Sequence, residues 1–201
     1  MFREQLAELI NKAADLRVSG ETDNIAEALR IIELERPQVA IVDITLKGAS
    51  GLELLKELRN RRIVLPVLVL SMHEESLYAE RALRAGASGY ITKHEASADV
   101  LNAIRRVLAG EIYLKPQFMS QMMSRMIGGE TSSEPMAQLT DRELDVFRLI
   151  GRGLTTREIA AHLSVSNTTV ETYVSRIREK LNLDNSARLR LEASRWAQQH
   201  E

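Results

Sequence analysis

The chain has 201 residues, enough for one large or two small domains, and its 44% apolar content is sufficient for ordinary cores. The formal net charge of −1 divides into +1 over residues 139–201 and −2 before them, which excludes a basic nucleic-acid tail and leaves any DNA affinity to a local patch. No cysteine is present, which excludes disulfides and thiolate chemistry, and neither a signal peptide nor a long apolar run occurs, so a cytoplasmic protein with no membrane partner is expected.

Residues 1–109 alternate helix and strand. Phe2, Leu6, Leu9, Ile10 and Ala13 mark a first helix, and 16–20 reads as a short strand. A helix over 25–35 leads to an apolar strand over 37–43 that ends at Asp43. A helix over 52–60 precedes a strand over 65–71 that ends at Ser71. A helix over 76–85 precedes a strand over 88–92, followed by Lys93, and a helix over 97–109 closes the series. Such alternation predicts a parallel sheet covered by helices, with ligand chemistry at the carboxyl ends of the strands. Asp43, Ser71 and Lys93 stand at three consecutive strand ends. Each is ordinary alone, but together they form a coherent site. A carboxylate can attack a phosphoryl group, a lysine can neutralise its charge, and a hydroxyl can bond one of its oxygens.

Next, Met119, Met122, Met123, Met126 and Ile127 form a helical stripe, which is expected to pack softly against a neighbouring domain rather than bind a metal. Residues 128–135 are small, polar and aperiodic, and read as a flexible linker. Beyond them, Thr140-Asp141-Arg142-Glu143 and Thr155-Thr156-Arg157-Glu158 are capping boxes. Gly151-Arg152-Gly153 supplies a glycine that can end a helix, and Ser166 or Asn167 can cap the next. Helices are predicted over 141–150, 156–163 and 167–181, with a fourth after 182–185 running to about residue 197.

The third of these helices carries one apolar stripe, Val170, Val174, Ile177 and Leu181. Its opposite face holds Thr168, Thr172, Ser175, Arg176 and Glu179, with Glu171 on the flank. Hydroxyls and an arginine suit phosphates and base edges. An ordinary solvated helix shares that periodicity. Two capped helices leading into it through a tight turn point instead to a helix that enters the DNA major groove.

Leu139-Thr140-Asp141-Arg142-Glu143, Leu154-Thr155-Thr156-Arg157-Glu158-Ile159-Ala160, Val165-Ser166-Asn167-Thr168-Thr169-Val170 and Lys180-Leu181 together resemble the LuxR-type helix-turn-helix. The resemblance implies an all-α, four-helix module whose third helix reads DNA and whose fourth makes dimer contacts. The DNA-binding residues it implies are Thr168, Thr169, Glu171, Thr172, Ser175, Arg176 and Lys180. Many relatives carry lysine or arginine where this chain has Glu171. A carboxylate there repels phosphate and can accept from cytosine N4, so an altered half-site is expected.

The strings Ile41-Val42-Asp43-Ile44-Thr45-Leu46-Lys47-Gly48-Ala49-Ser50-Gly51-Leu52-Glu53, Leu68-Val69-Leu70-Ser71 and Gly86-Ala87-Ser88-Gly89-Tyr90-Ile91-Thr92-Lys93 resemble the receiver domain of a two-component response regulator. Paired with a LuxR-type module, they point to the NarL/FixJ class. That resemblance implies an α/β, flavodoxin-like parallel sheet. It implies Asp43 as phosphoacceptor, Lys93 on the phosphoryl group, Ser71 and Tyr90 as a switch pair, and Mg²⁺ held by Asp43 and the Thr45 carbonyl.

Receivers of this family begin with a strand ending in an acidic pair, whereas Met1-Phe2-Arg3-Glu4 matches the family's first helix. The first strand and both acids are missing, which leaves Mg²⁺ one carboxylate and a carbonyl. It also predicts that the strands at 16–20 and 39–43 lose a shared partner. The expected explanation is a natural start further upstream, because Asp43, Ser71, Tyr90 and Lys93 are all retained. A short form without phosphotransfer, or a half-sheet completed by another chain, is the alternative.

The expected organisation is a receiver domain over 1–110, a linker with a helix over 111–137 and a DNA-binding domain over 138–201. The expected function is a transcription regulator, not an enzyme. A partner histidine kinase phosphorylates it at Asp43, and it binds double-stranded promoter DNA as a homodimer. The alternatives are a phosphorylation-independent DNA-binding regulator and a decoy or dimerisation partner that reads no promoter.

Overall fold

A computed structural model describes residues 2–44, 50–72, 76–94, 97–127 and 135–200. The chain divides into two compact units, one of residues 1–44 and 51–119, the other mainly of residues 120–201.

In the first unit, strands β1 (Ala40–Asp43), β2 (Val67–Ser71) and β3 (Gly89–Thr92) form a parallel sheet in the order β1-β2-β3. Every residue of the central β2 is buried, as expected of a short apolar run flanked by strands and covered on both faces. Helices α1 (Phe2–Lys12), α2 (Ile25–Glu35), α3 (Gly51–Asn60), α4 (Ser76–Ala85) and α5 (Ser97–Leu108) accompany it. Helix α2 shows how locally these ends are set. The Asn24 side chain accepts from the Glu27 N–H, and Arg36, at φ 47°, turns its own N–H back to the Ile32 carbonyl. On one face of the sheet, Leu68, Leu70 and Ile91 pack with Ile10 of α1 and with Val100, Ala103, Ile104 and Val107 of α5. Each of the leucine, isoleucine and valine side chains contributes roughly 1.5–3 kcal/mol by leaving water.

Residues 16–20 form no strand, contrary to the alternation read from the sequence. Leu16 and Val18 still reach the core cluster half-buried, so their apolar spacing is satisfied. A strand, however, exists only through backbone pairing, and β1 pairs with β2 alone among the described residues. The segment is held in other ways. The Val18 N–H donates to Asn11 Oδ1 at 2.9 Å, and Arg105 grips Asp15 through two bonds of 2.8 and 2.9 Å.

Past α5 the chain turns back onto the sheet. The Tyr90 N–H donates to the Tyr113 carbonyl at 2.9 Å, and the Tyr113 N–H to the Ser88 carbonyl at 3.0 Å, so Tyr113 bridges the outer edge of β3. Helix α6 (Pro116–Ile127) follows. Its first turn is anchored by the buried Phe118, while Met119 and Met123 are exposed. The aromatic ring of Phe118 meets the core at the start of the helix.

The second unit holds a 3-10 turn (Pro135–Gln138) and helices α7 (Asp141–Gly151), α8 (Thr156–Leu163), α9 (Asn167–Lys180) and α10 (Ser186–His200). Both capping boxes form as the sequence predicts, on Thr140 with Glu143 and on Thr155 with Glu158. Gly153 takes φ 83°, the left-handed turn between α7 and α8. Gly151 serves a different purpose. A Cβ there would lie 2.4 Å from the Ala193 carbonyl oxygen, so its absence lets α7 and α10 touch backbone to backbone. Phe147 meets Trp196 edge-on at 6.0 Å within the core that includes Leu144, Ile159, Val170, Ile177 and Leu189. The linker expected over 128–135 lies, except for Pro135, outside the described residues.

Candidate functional site

Strand register brings the first group of predicted residues together. Asp43 stands opposite Leu70, one residue short of Ser71, and Ser71 stands opposite Thr92, one residue short of Lys93. Each strand therefore delivers its functional residue to the same carboxyl edge of the sheet. The Lys93 backbone N–H donates to the Ser71 carbonyl at 2.7 Å, and its ammonium forms a hydrogen-bonded ion pair with the Asp43 carboxylate. The same ammonium lies 4.9 Å from the centre of the Phe2 ring, within cation–π range. Behind Asp43, a Cβ on Gly51 would fall 2.0 Å from the Asp43 carbonyl oxygen, so only glycine lets α3 start this close to the acidic strand end.

Ser71 and Tyr90 are fully buried. Tyr90 stands opposite Val69, and Ser71 follows two residues later, so pleat parity sets both on one face of the sheet. Asp43 and Lys93 belong by the same parity to the other face, and they come together with Ser71 at the strand ends, while Tyr90 lies two residues deeper in the sheet. Phe118 closes over Tyr90 edge-on, with ring centres 6.0 Å apart and planes at 80°. Periodicity did not single out Phe118, because the methionines around it dominate the helical pattern.

Thr45, expected to offer its carbonyl to Mg²⁺, lies outside the described residues. A divalent cation of this kind takes about six oxygen ligands. The Asp43 carboxylate is already engaged by Lys93, and no group of three or more His, Cys, Asp or Glu side chains that could hold a metal occurs among the described residues. The described residues alone do not complete a Mg²⁺ site.

In the second unit, α9 exposes Thr168, Glu171, Thr172, Ser175, Arg176 and Glu179 and buries Val170 and Ile177, as the stripe predicts. The structure sorts the predicted DNA-binding residues into two groups. Thr169 is drawn into the helix cap, its hydroxyl 2.8 Å from the Ser166 hydroxyl. Thr172 donates its hydroxyl to the Thr168 carbonyl. Lys180 donates to Glu143 at 2.6 Å, tying the end of α9 to the capping box of α7. Burial works to raise the Glu143 pKa, but the bonds from Lys180 and Thr140 outweigh it and hold the carboxyl below its ordinary range. The side chains of Thr168, Glu171, Ser175 and Arg176 make no hydrogen bond or ion pair among the described residues, and stand open for a ligand. The Lys180–Glu143 pair was not foreseen, because nothing local connects residues 37 positions apart.

Among the described residues, no helix is long and apolar enough to cross a membrane. Residues 1–105 match the response regulator receiver domain family, and residues 137–193 match the bacterial regulatory proteins of the luxR family. The chain is 31% identical to the nitrate/nitrite response regulator protein NarL of Escherichia coli K12, over 99% of its length and 91% of NarL. It is 36% identical to the transcriptional activator protein ExaE of Pseudomonas putida, over 94% of its length and 89% of ExaE. A solved two-component response regulator of the LuxR family from Aurantimonas sp. SI85-9A1 superposes with a TM-score of 0.58 at 30% identity, covering 62% of this chain and 89% of that one. The chain belongs to the NarL/FixJ class of two-component response regulators, DNA-binding transcription regulators that join a receiver to a LuxR-type helix-turn-helix and are controlled by phosphorylation.

Proposed function

We propose that Asp43 is the residue that accepts the phosphoryl group, from a partner histidine kinase. The observation that carries this reading is the Asp43–Lys93 ion pair at the carboxyl edge of the sheet, with Ser71 on the strand between. A phosphoryl group on Asp43 brings more negative charge to the same position. Lys93 is placed to follow that charge, and Ser71 to bond a phosphoryl oxygen. Repositioning of Ser71 leaves Tyr90, on the same face, as the residue that signals onward. No step is assigned to a metal ion.

Thr168, Glu171, Thr172, Ser175 and Arg176 form the proposed DNA-reading surface, while Lys180 and Thr169 hold the helix that presents it. Two modules, paired as a homodimer, would read half-sites in double-stranded promoter DNA about one helical turn apart. A cytoplasmic location follows from this role.

Intact mass after incubation of the full chain with acetyl phosphate, with and without Mg²⁺, tests the acceptor. The wild type should gain one phosphoryl group and Asp43→Asn none. A gain that survives Asp43→Asn moves the acceptor elsewhere. The second reading is a phosphorylation-independent DNA-binding regulator. No mass gain in a folded sample would select it.

A further inference from the structure

We propose that Glu171 makes a cytosine necessary at one position of each DNA half-site. The inference rests on the reading of α9 as the helix that enters the major groove. Glu171 is the fifth residue of α9, in the half of a recognition helix that meets base edges. Its side chain is exposed and has no cationic partner among the described residues. The neighbours one turn away are Asn167, Thr168, Val174 and Ser175, none of them basic. Arg176 lies five residues on, roughly 140° around the helix, and belongs to the line of Thr172 instead.

A bare carboxylate on a surface pressed against phosphates lowers affinity unless a base offers it a donor. In the major groove only cytosine N4 and adenine N6 donate. Beside its N6, adenine presents N7, an acceptor that meets the second carboxylate oxygen with like polarity. Guanine and thymine present acceptors at that edge. Cytosine alone offers a donor without an adjoining acceptor on the same base. Ser175, on the same line of the helix, can donate or accept beside it. Glu171 thus selects largely by what it refuses, and the refusal covers three of the four bases.

The test is selection from randomised duplex DNA by the full chain, with and without prior acetyl phosphate, for wild type, Glu171→Gln, Glu171→Ala and Glu171→Lys. The wild type should enrich a site with cytosine at one fixed position per half-site. Glu171→Gln should move that position towards adenine, Glu171→Lys towards guanine, and Glu171→Ala should lose the preference. Placing 2-pyrimidinone, which lacks only the N4 amino group, at that position should weaken wild-type binding about tenfold and leave Glu171→Ala unaffected. If the wild type and all three variants enrich the same site, the proposal fails and the DNA-reading helix stands. If the wild type enriches no sequence under either condition, both fail.

Discussion

Tyr90 and Phe118 meet edge to face with ring centres 6.0 Å apart, one on the last strand of the receiver sheet and the other on the first turn of α6. Both rings are buried, so the helix that leaves the receiver unit starts on the residue proposed to carry its signal. Phe118→Ala removes a buried aromatic ring and uncovers Tyr90. It should destabilise the first unit by about 3–5 kcal/mol, while Phe118→Leu, which refills most of the volume, should cost less than half of that. Denaturant midpoints followed by the near-ultraviolet tyrosine signal check this. Equal losses for the two variants would show that the ring is not packed on Tyr90.

The ion pair on Lys180 separates two roles that look alike in a sequence. Arg176→Ala should reduce the salt dependence of DNA binding by about one unit of slope, as a lost phosphate contact does. Lys180→Met should leave that slope unchanged and instead lower the stability of the second unit by about 1–2 kcal/mol, because Glu143 keeps its burial but loses its partner. A reduced slope for Lys180→Met would return that lysine to the DNA surface.

Glu143 also predicts a pH dependence. Its carboxyl is held below the ordinary range in the folded unit, so the folded state favours the charged form. That stabilisation is complete above the unfolded carboxylate pKa of about 4.3 and is lost as pH falls through the depressed folded value. Trp196 is the chain's single tryptophan and packs on Phe147, so its fluorescence reports on this unit. Between neutral pH and pH about 3, the wild type should lose more stability than Glu143→Gln, with the variant the weaker of the two at neutral pH. Parallel curves would assign the acid sensitivity to other carboxylates, such as Glu158 in the second capping box.

Gly151→Ala sets two effects of opposite sign against each other. Alanine favours a helix over glycine by roughly 1 kcal/mol. Its methyl would meet a backbone carbonyl at 2.4 Å, an atom that cannot turn aside as a side chain can. Overpacking of this kind costs about 1–3 kcal/mol and should prevail here, lowering the tryptophan-monitored midpoint. A rise in midpoint would mean that α10 can shift away.

The sequence made legible what depends on neighbours in the chain. Helix α7 starts where Thr140 and Glu143 close their capping box, and α8 where Thr155 and Glu158 close theirs. The cluster of Asp43, Ser71 and Lys93 was legible for a related reason: parallel strands of this fold end at one rim, so residues at the strand ends converge wherever the register is regular. What escaped was set by partners remote in sequence. Residues 16–20 have strand-like spacing but no ladder, because spacing does not supply a partner. Tyr113 makes a single-residue bridge, too short to carry any period. Lys180 has the chemistry of a DNA contact, and only the folded unit shows its ion pair with the buried Glu143, 37 positions away.

The bridge at Tyr113 has a mechanical consequence. Because that residue is hydrogen-bonded in parallel to β3, the segment between α5 and α6 is sewn to the sheet before the chain leaves the first unit. Sliding of that segment along the strand loads the bonds to Ser88 and Tyr90 in shear, a geometry that resists until both give way together. Force, or its release, is thereby delivered to the backbone of Tyr90 itself.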